Sequence, residues 1–283
     1  MSQDSFVPLA APVGVFDSGV GGLSVLRHIR ALLPHERLVY FADSGFAPYG
    51  GKPESVVVDR ALSISAFLIA QGAKALVVAC NTATVAAIKA LRARYPLMPI
   101  VGVEPGLKPA SLLSRIGKVG VLATELTLSG EKFLQLRDQI NLTSKAQFIL
   151  RGCPGLVEQI ERGELDSEAT LAMLEGYIVP LLDQDIDTLV LGCTHYPFVR
   201  ATIEKVINGA SRRDVVVIDT GEAVARQLLR LLEAGGLVNP GDGSGAQLEA
   251  FSSANASALS AAFLRLLGLA QEVREVRVAS IAP

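Results

Sequence analysis

Two ten-residue stretches hold the side chains with the most chemistry to offer. Residues 75–84 read ALVVACNTAT and residues 188–197 read TLVLGCTHYP: each is an apolar run that ends in a small residue, a cysteine and then polar residues. Such runs suit strands buried on both faces of a parallel sheet, and the carboxyl ends of those strands are where open α/β sheets bind ligands. Two sulfurs flanking one small molecule, Cys80 and Cys193, could take a proton from one face of a carbon and return one to the other. That is general acid–base exchange, and it inverts a stereocentre. One sulfur must be thiolate and the other thiol, and the helix amides expected after each strand should lower a thiol pKa from about 8.5. Ser18, Asn81, Thr82, Thr124 and Thr194 are placed to stabilise charge developing on a substrate carboxylate. Asp17 and His195 could orient and tune the thiols.

Each of these residues has a plainer reading. A single buried cysteine is most often a small hydrophobe, but two at equivalent places in an internal repeat fit reactive thiols better. Cys80, Cys193, His195 and Cys153 could be tried as zinc ligands, yet the chain has neither a CxxC nor an HxxxH pair, so no metal is expected. Asp17 could cap a turn. Gly19-Val-Gly-Gly after a first strand invites a dinucleotide, with Asp43 on the ribose. That fingerprint needs glycine or alanine where Ser24 stands, and it leaves both cysteine strands without a task. Cys153, before a proline at a turn, reads as structural.

The elements that must position the thiols repeat as well. Residues 13–18, VGVFDS, resemble 119–124, VGVLAT; Gly14 precedes Cys80 by 66 residues and Gly120 precedes Cys193 by 73. Residues 100–105 stand against 216–221. The reading is an α/β fold of two similar, pseudo-symmetric α/β domains with mostly parallel central sheets and the active site in the cleft between them. Residues 1–103 and 217–283 are expected to form the first domain and 104–216 the second. Strands are expected at 13–16, 38–41, 75–79, 100–103, 118–122, 148–150, 188–192, 215–218, 247–251 and 273–278. The 215–218 strand is expected to return to the first domain. Asn81 and Thr82 are expected to cap the helix at 83–94. Residues 2–12 read as a loose leader, and glycines 241, 243 and 245 as a flexible loop.

The 283 residues suffice for two modest cores. A net charge of −2 with only 5% aromatic residues argues against a nucleic-acid surface. No basic-then-apolar leader begins the chain, and its apolar stretches are broken by Lys74 and Lys89 before reaching the roughly 18 residues that span a bilayer. A soluble cytoplasmic protein with reduced thiols is expected.

Seven motifs in order, FDSGVGGLSV at 16–25, YFADSGFAPYG at 40–50, VVACNTAT at 77–84, VGVEPGLKPA at 101–110, VLATELT at 121–127, CPGLVEQIE at 153–161 and LGCTHYP at 191–197, span nearly the whole chain. In these the sequence resembles the cofactor-independent glutamate racemases of the aspartate/glutamate racemase superfamily. The resemblance implies that Cys80 takes the α-proton from D-glutamate and Cys193 from L-glutamate. It implies substrate contacts at Asp17, Ser18, Tyr49, Gly50, Asn81, Thr82, Thr194 and His195, a carboxylate bond from Thr124, and an acid at Glu161 behind the Cys193 side. It further implies activity without pyridoxal phosphate or metal, a supply of D-glutamate for peptidoglycan in a bacterial cytoplasm, and a homodimer. The chain departs from the family pattern at Ser44-Gly-Phe-Ala, where threonine, alanine and arginine are common, and at Phe133, where tyrosine is frequent. Competing readings are aspartate racemase, a non-catalytic amino-acid-binding protein and a dinucleotide-dependent oxidoreductase.

Overall fold

The repeat seen in the sequence is a repeat of strand order. The computed structural model describes residues 8–211, 213–241 and 247–280, so residues 2–7 of the expected leader and glycines 243 and 245 lie outside the described residues. The first unit begins β1 (Val13–Asp17), α1 (Leu23–Leu32), β2 (Leu38–Ala42), α2 (Glu54–Ala70), β3 (Ala75–Val78), α3 (Asn81–Arg94) and β4 (Ile100–Gly102). The second runs α4 (Leu107–Leu113), β5 (Lys118–Ala123), α5 (Glu125–Ser129), α6 (Glu131–Thr143), β6 (Gln147–Gly152), α7 (Leu156–Arg162), α8 (Glu168–Leu182), β7 (Thr188–Leu191), α9 (Arg200–Ala210) and β8 (Val216–Ile218). The chain then returns through α10 (Gly221–Ala234), β9 (Leu248–Ser252), α11 (Ala256–Leu267) and β10 (Val273–Glu275).

Every strand pairing is parallel, and the two sheets run β10-β9-β2-β1-β3-β4 and β6-β5-β7-β8. The shared order 2-1-3-4 places β1 opposite β5 and β3 opposite β7 in the repeat. Register agrees: Val13 pairs with Leu38 and Ala75, as Val119 pairs with Phe148 and Thr188. Gly14 and Gly120 hold matching places for one steric reason. A Cβ at Gly14 would stand 3.1 Å from Leu68 of α2, and one at Gly120 would stand 3.2 Å from Leu181 of α8. Each glycine lets a helix lie close against its central strand.

Helices cover both faces of each sheet, which is why the strands are apolar throughout rather than alternating. In the first unit, α1, α10 and α11 pack one face and α2 with α3 the other. In the second, α7, α8 and α9 pack one face and α4 with α6 the other.

Two expectations need correction. The strand at 215–218 does not return to the first unit: Val216–Ile218 pairs with β7, so the four-stranded sheet extends past residue 216. The repeat had already aligned this segment with β4, and the structure follows the repeat. The cap of α3 is Cys80 rather than Asn81 or Thr82, which are themselves helical. After β6, α7 and α8 are separate helices, divided by Gly163 in the left-handed conformation at φ 85°.

Candidate active site

In a sheet ordered 2-1-3-4, chain connections leave in opposite directions from β1 and β3, and the carboxyl ends of those strands form the natural ligand crevice. Here β1 ends in Asp17 with Ser18 next in the chain, and β3 leads to Cys80. In the second unit β5 runs to Thr124, and β7 to Cys193. Asp17, Ser18, Cys80 and Cys193 are buried and Thr124 is half-buried, at this position in the topology.

The Cys80 side is built from its own unit. As N-cap of α3, the sulfur accepts the Ala83 N–H at 3.4 Å, and its thiol lies 3.9 Å from Ser18 Oγ. Burial, followed by the charge of Asp17, pushes the Cys80 pKa well above the usual thiol value, against the opposing effect of the Ala83 amide. This reverses the direction expected from the helix start alone. The amide dipoles are present, but desolvation of a thiolate outweighs them.

Asp17 is fully buried and accepts from Gly22 N–H at 2.8 Å and Gly19 N–H at 3.3 Å through Oδ2. Burial raises its pKa, although the charge of His195 pulls the other way. Its Oδ1 and both polar atoms of the Asn81 side chain are buried with no hydrogen-bond partner among the described residues. Because Cys80 takes over the capping role, Asn81 is left with unused donors and an acceptor. Buried polar atoms normally find partners, and an amino acid's ammonium and carboxylate would supply them.

The Cys193 side is a chain of three groups. Cys193 Sγ lies 3.7 Å from His195 Nδ1, and His195 Nε2 lies 2.7 Å from Glu161 Oε1. Burial alone would depress the imidazole, but its bonds to Cys193 and Glu161 prevail and hold the His195 pKa well above the usual histidine value. Burial would likewise raise Glu161, but the His195 hydrogen bond and charge, with the Val20 amide, hold it below the usual value. Glu161 also lines a cavity of about 270 Å³ between α7 and α11.

Hydroxyls bridge the units. Thr82 Oγ1 is 3.0 Å from Thr124 Oγ1 and 3.3 Å from Thr127 Oγ1, and Thr124 Oγ1 is 2.9 Å from Thr127 Oγ1. Gly50 packs so closely on Thr124 that a Cβ there would stand 2.9 Å from the threonine Cβ. Tyr49 sits in a 3-10 turn beside it, but its hydroxyl donates to Asp43 Oδ2 at 2.6 Å, so the side chain is committed to its own unit. Asp43 is also clamped by Arg60, at 2.8 and 2.9 Å, which makes it a structural anchor. Thr194 is buried, and its carbonyl accepts the Ser24 hydroxyl at 2.8 Å.

The structure therefore brings Asp17, Ser18, Cys80, Asn81, Thr82, Thr124, Cys193, Thr194, His195 and Glu161 to the facing ends of two like sheets. Sequence reasoning missed Thr127 and Ser24. Their partners are hydroxyls and carbonyls distant in the chain, and the one available signal was that Ser24 broke the dinucleotide pattern. Cys153 bonds the Arg151 carbonyl at 3.6 Å, and burial pushes its pKa to about 12, in keeping with a structural role.

Residues 21–228 match the family model described as Asp/Glu/Hydantoin racemase. The chain belongs to that family. It is 56% identical over 228 residues to a glutamate racemase of Methylococcus capsulatus, covering 80% of this chain and 81% of that one. A glutamate racemase isoform from Bacillus anthracis superposes with a TM-score of 0.85 at 30% identity, covering 96% and 99% of the two chains. The Escherichia coli glutamate racemase, solved with L-glutamate and the activator UDP-MurNAc-Ala, superposes at 0.77 with 30% identity, covering 95% and 100%. Membership in this racemase family agrees with the two-sheet fold.

Proposed function

We propose that this family member is a glutamate racemase that interconverts L- and D-glutamate by proton transfer between two thiols. The observation that carries the reading is the equivalence of Cys80 and Cys193. Each follows the third strand of its own unit in chain order, and the Thr82–Thr124 contact at 3.0 Å and the Val20–Glu161 bond at 2.8 Å bring those strand ends together.

In the L-to-D direction the Cys193 thiolate removes the α-proton, and the C–H electron pair stays on the α-carbon, delocalised into the carboxylate. Cys80 S–H then delivers its proton to the opposite face, leaving Cys80 as thiolate and Cys193 as thiol. The D-to-L direction is the reverse. The raised pKa of Cys80 supports its role as the proton donor, and His195, 3.7 Å from Cys193 and backed by Glu161 at 2.7 Å, is the group placed to take up the Cys193 proton. Asp17 Oδ1 is suited to the substrate ammonium. Ser18, Asn81, Thr82, Thr124, Thr194 and the backbone of Tyr49 and Gly50 are suited to its carboxylates. Both proton transfers are made by side chains of this chain, so the reading calls for no cofactor. With it go a cytoplasmic homodimer and D-glutamate supplied to peptidoglycan.

Proton NMR in deuterated water tests this, with L- and D-glutamate in separate samples. Loss of the α-proton signal from both, with circular dichroism decaying to zero, is the expected result. Exchange of aspartate but not glutamate would replace the substrate, and glutamate bound without exchange would replace the enzyme with a binding protein.

A further inference from the structure

We propose that Ser24 is a positioning residue for the Cys193 side of the reaction, acting through the peptide that carries His195. The proposal rests on the two-thiol reading above. Ser24 is buried in the first turn of α1, in the unit that carries Cys80. Its hydroxyl lies 2.8 Å from the Gly21 carbonyl and 2.8 Å from the Thr194 carbonyl. With one proton to give, it shares that proton between its own turn and the other unit.

The Thr194 carbonyl belongs to the peptide joining Thr194 to His195, so the bond sets the plane from which the imidazole departs. At 3.7 Å, the His195 contact with Cys193 is long enough that a small rotation would lengthen it past hydrogen bonding. Two neighbours reinforce the hold. Val20 N–H donates to Glu161 Oε1 at 2.8 Å, and Gly21 packs against the His195 ring. One short turn of the first unit thus grips the acid, the ring and the peptide of the second. The Cys80 sulfur is held differently, by Ala83 and Ser18 of its own unit. Removing the Ser24 hydroxyl should therefore disturb one thiol and spare the other.

A racemase reveals such one-sidedness in its isotope effects. Enantiomers have equal free energy, so kcat/KM must fall equally in both directions whatever is changed. The primary isotope effect does not share that constraint. Slowing the Cys193 step makes removal of deuterium from L-glutamate more rate-limiting and its removal from D-glutamate less so.

The experiment compares wild type with Ser24→Ala, using L- and D-glutamate carrying deuterium at the α-carbon. The expected result is a loss of about 3- to 10-fold in kcat/KM, the effect of one neutral hydrogen bond. With it, the isotope effect on kcat/KM should rise from the L side and fall from the D side. Ser24→Cys, a near-isosteric and weaker donor, should shift both effects in the same sense by less, and it serves if the alanine variant does not fold. Unchanged or equally shifted isotope effects in a variant that folds would overturn the positioning role. The opposite asymmetry would keep the role and exchange the faces assigned to the two thiols. A wild type that leaves glutamate unracemised would overturn the underlying reading, and this one with it.

Discussion

Glu161 and His195 meet at 2.7 Å, and the same carboxylate oxygen accepts the Val20 N–H at 2.8 Å from the other unit. One atom therefore anchors the imidazole and joins the two halves. With Nε2 bonded to Glu161, Nδ1 is the position that shares a proton with Cys193. Glu161→Gln keeps the shape but loses the charge, and a hydrogen bond to a charged group contributes about 1.5–3 kcal/mol. Steady-state racemisation followed by circular dichroism should show kcat/KM lower by roughly 10- to 100-fold.

The same pair dictates a pH dependence of stability. The folded-state pKa of His195 lies well above its ordinary value of 6.5, so its contribution is fully present below about pH 6.5 and is lost as pH rises through the folded value. Glu161 has a folded pKa below its ordinary 4.5, so its contribution is present above that value and is lost as pH falls. Chemical denaturation of wild type and His195→Gln at a series of pH values should show the largest gap between about pH 5 and 6.5, closing on the alkaline side. A gap that widens above neutrality would contradict the assignment.

Cys80→Ala and Cys193→Ala should each abolish racemisation while leaving the circular dichroism spectrum and melting cooperativity of wild type. Near-normal turnover by either variant would eliminate the two-base mechanism.

Gly21→Ala adds one methyl group where there is no room. The new Cβ would collide with the His195 ring and stand 2.8 Å from Thr194 Oγ1. Forced overpacking destabilises by about 1–3 kcal/mol, measurable as a lower urea midpoint. Activity should fall further than stability, because the displaced group is the imidazole. Gly51→Ala, with nothing within 4 Å of its Cβ position, is the control.

Much of this was legible because the fold repeats. The likeness of 13–18 to 119–124, and of the two cysteine strands, follows from Val13 and Val119 occupying the same register between their neighbours. Apolar strands followed by polar turns located Cys80 and Cys193 for the same reason. The hydrogen bonding of the site was not legible. Ser24 finds Thr194 across 170 residues, and Thr82 finds Thr127 across 45, pairings without periodicity in the chain. The direction of the Cys80 pKa is not legible in the sequence, because the helix amides are local and visible there, whereas burial and Asp17 come from the assembled fold. Asn81 misled for a related reason: a residue type that favours capping sits one place too late, behind a cysteine that does the capping.

The placement of β9 and β10 bears on how the chain is made. Both follow β8 in sequence, yet β9 covers the outer edge of β2, whose five residues Leu38–Ala42 are all buried. On the ribosome, the four-stranded sheet can be complete while β2 still presents an unpaired apolar edge, a template for pairing with other nascent chains. The last strands to emerge close the first sheet to be started, so the order of synthesis leaves the Cys80 half, not the Cys193 half, in need of protection from aggregation.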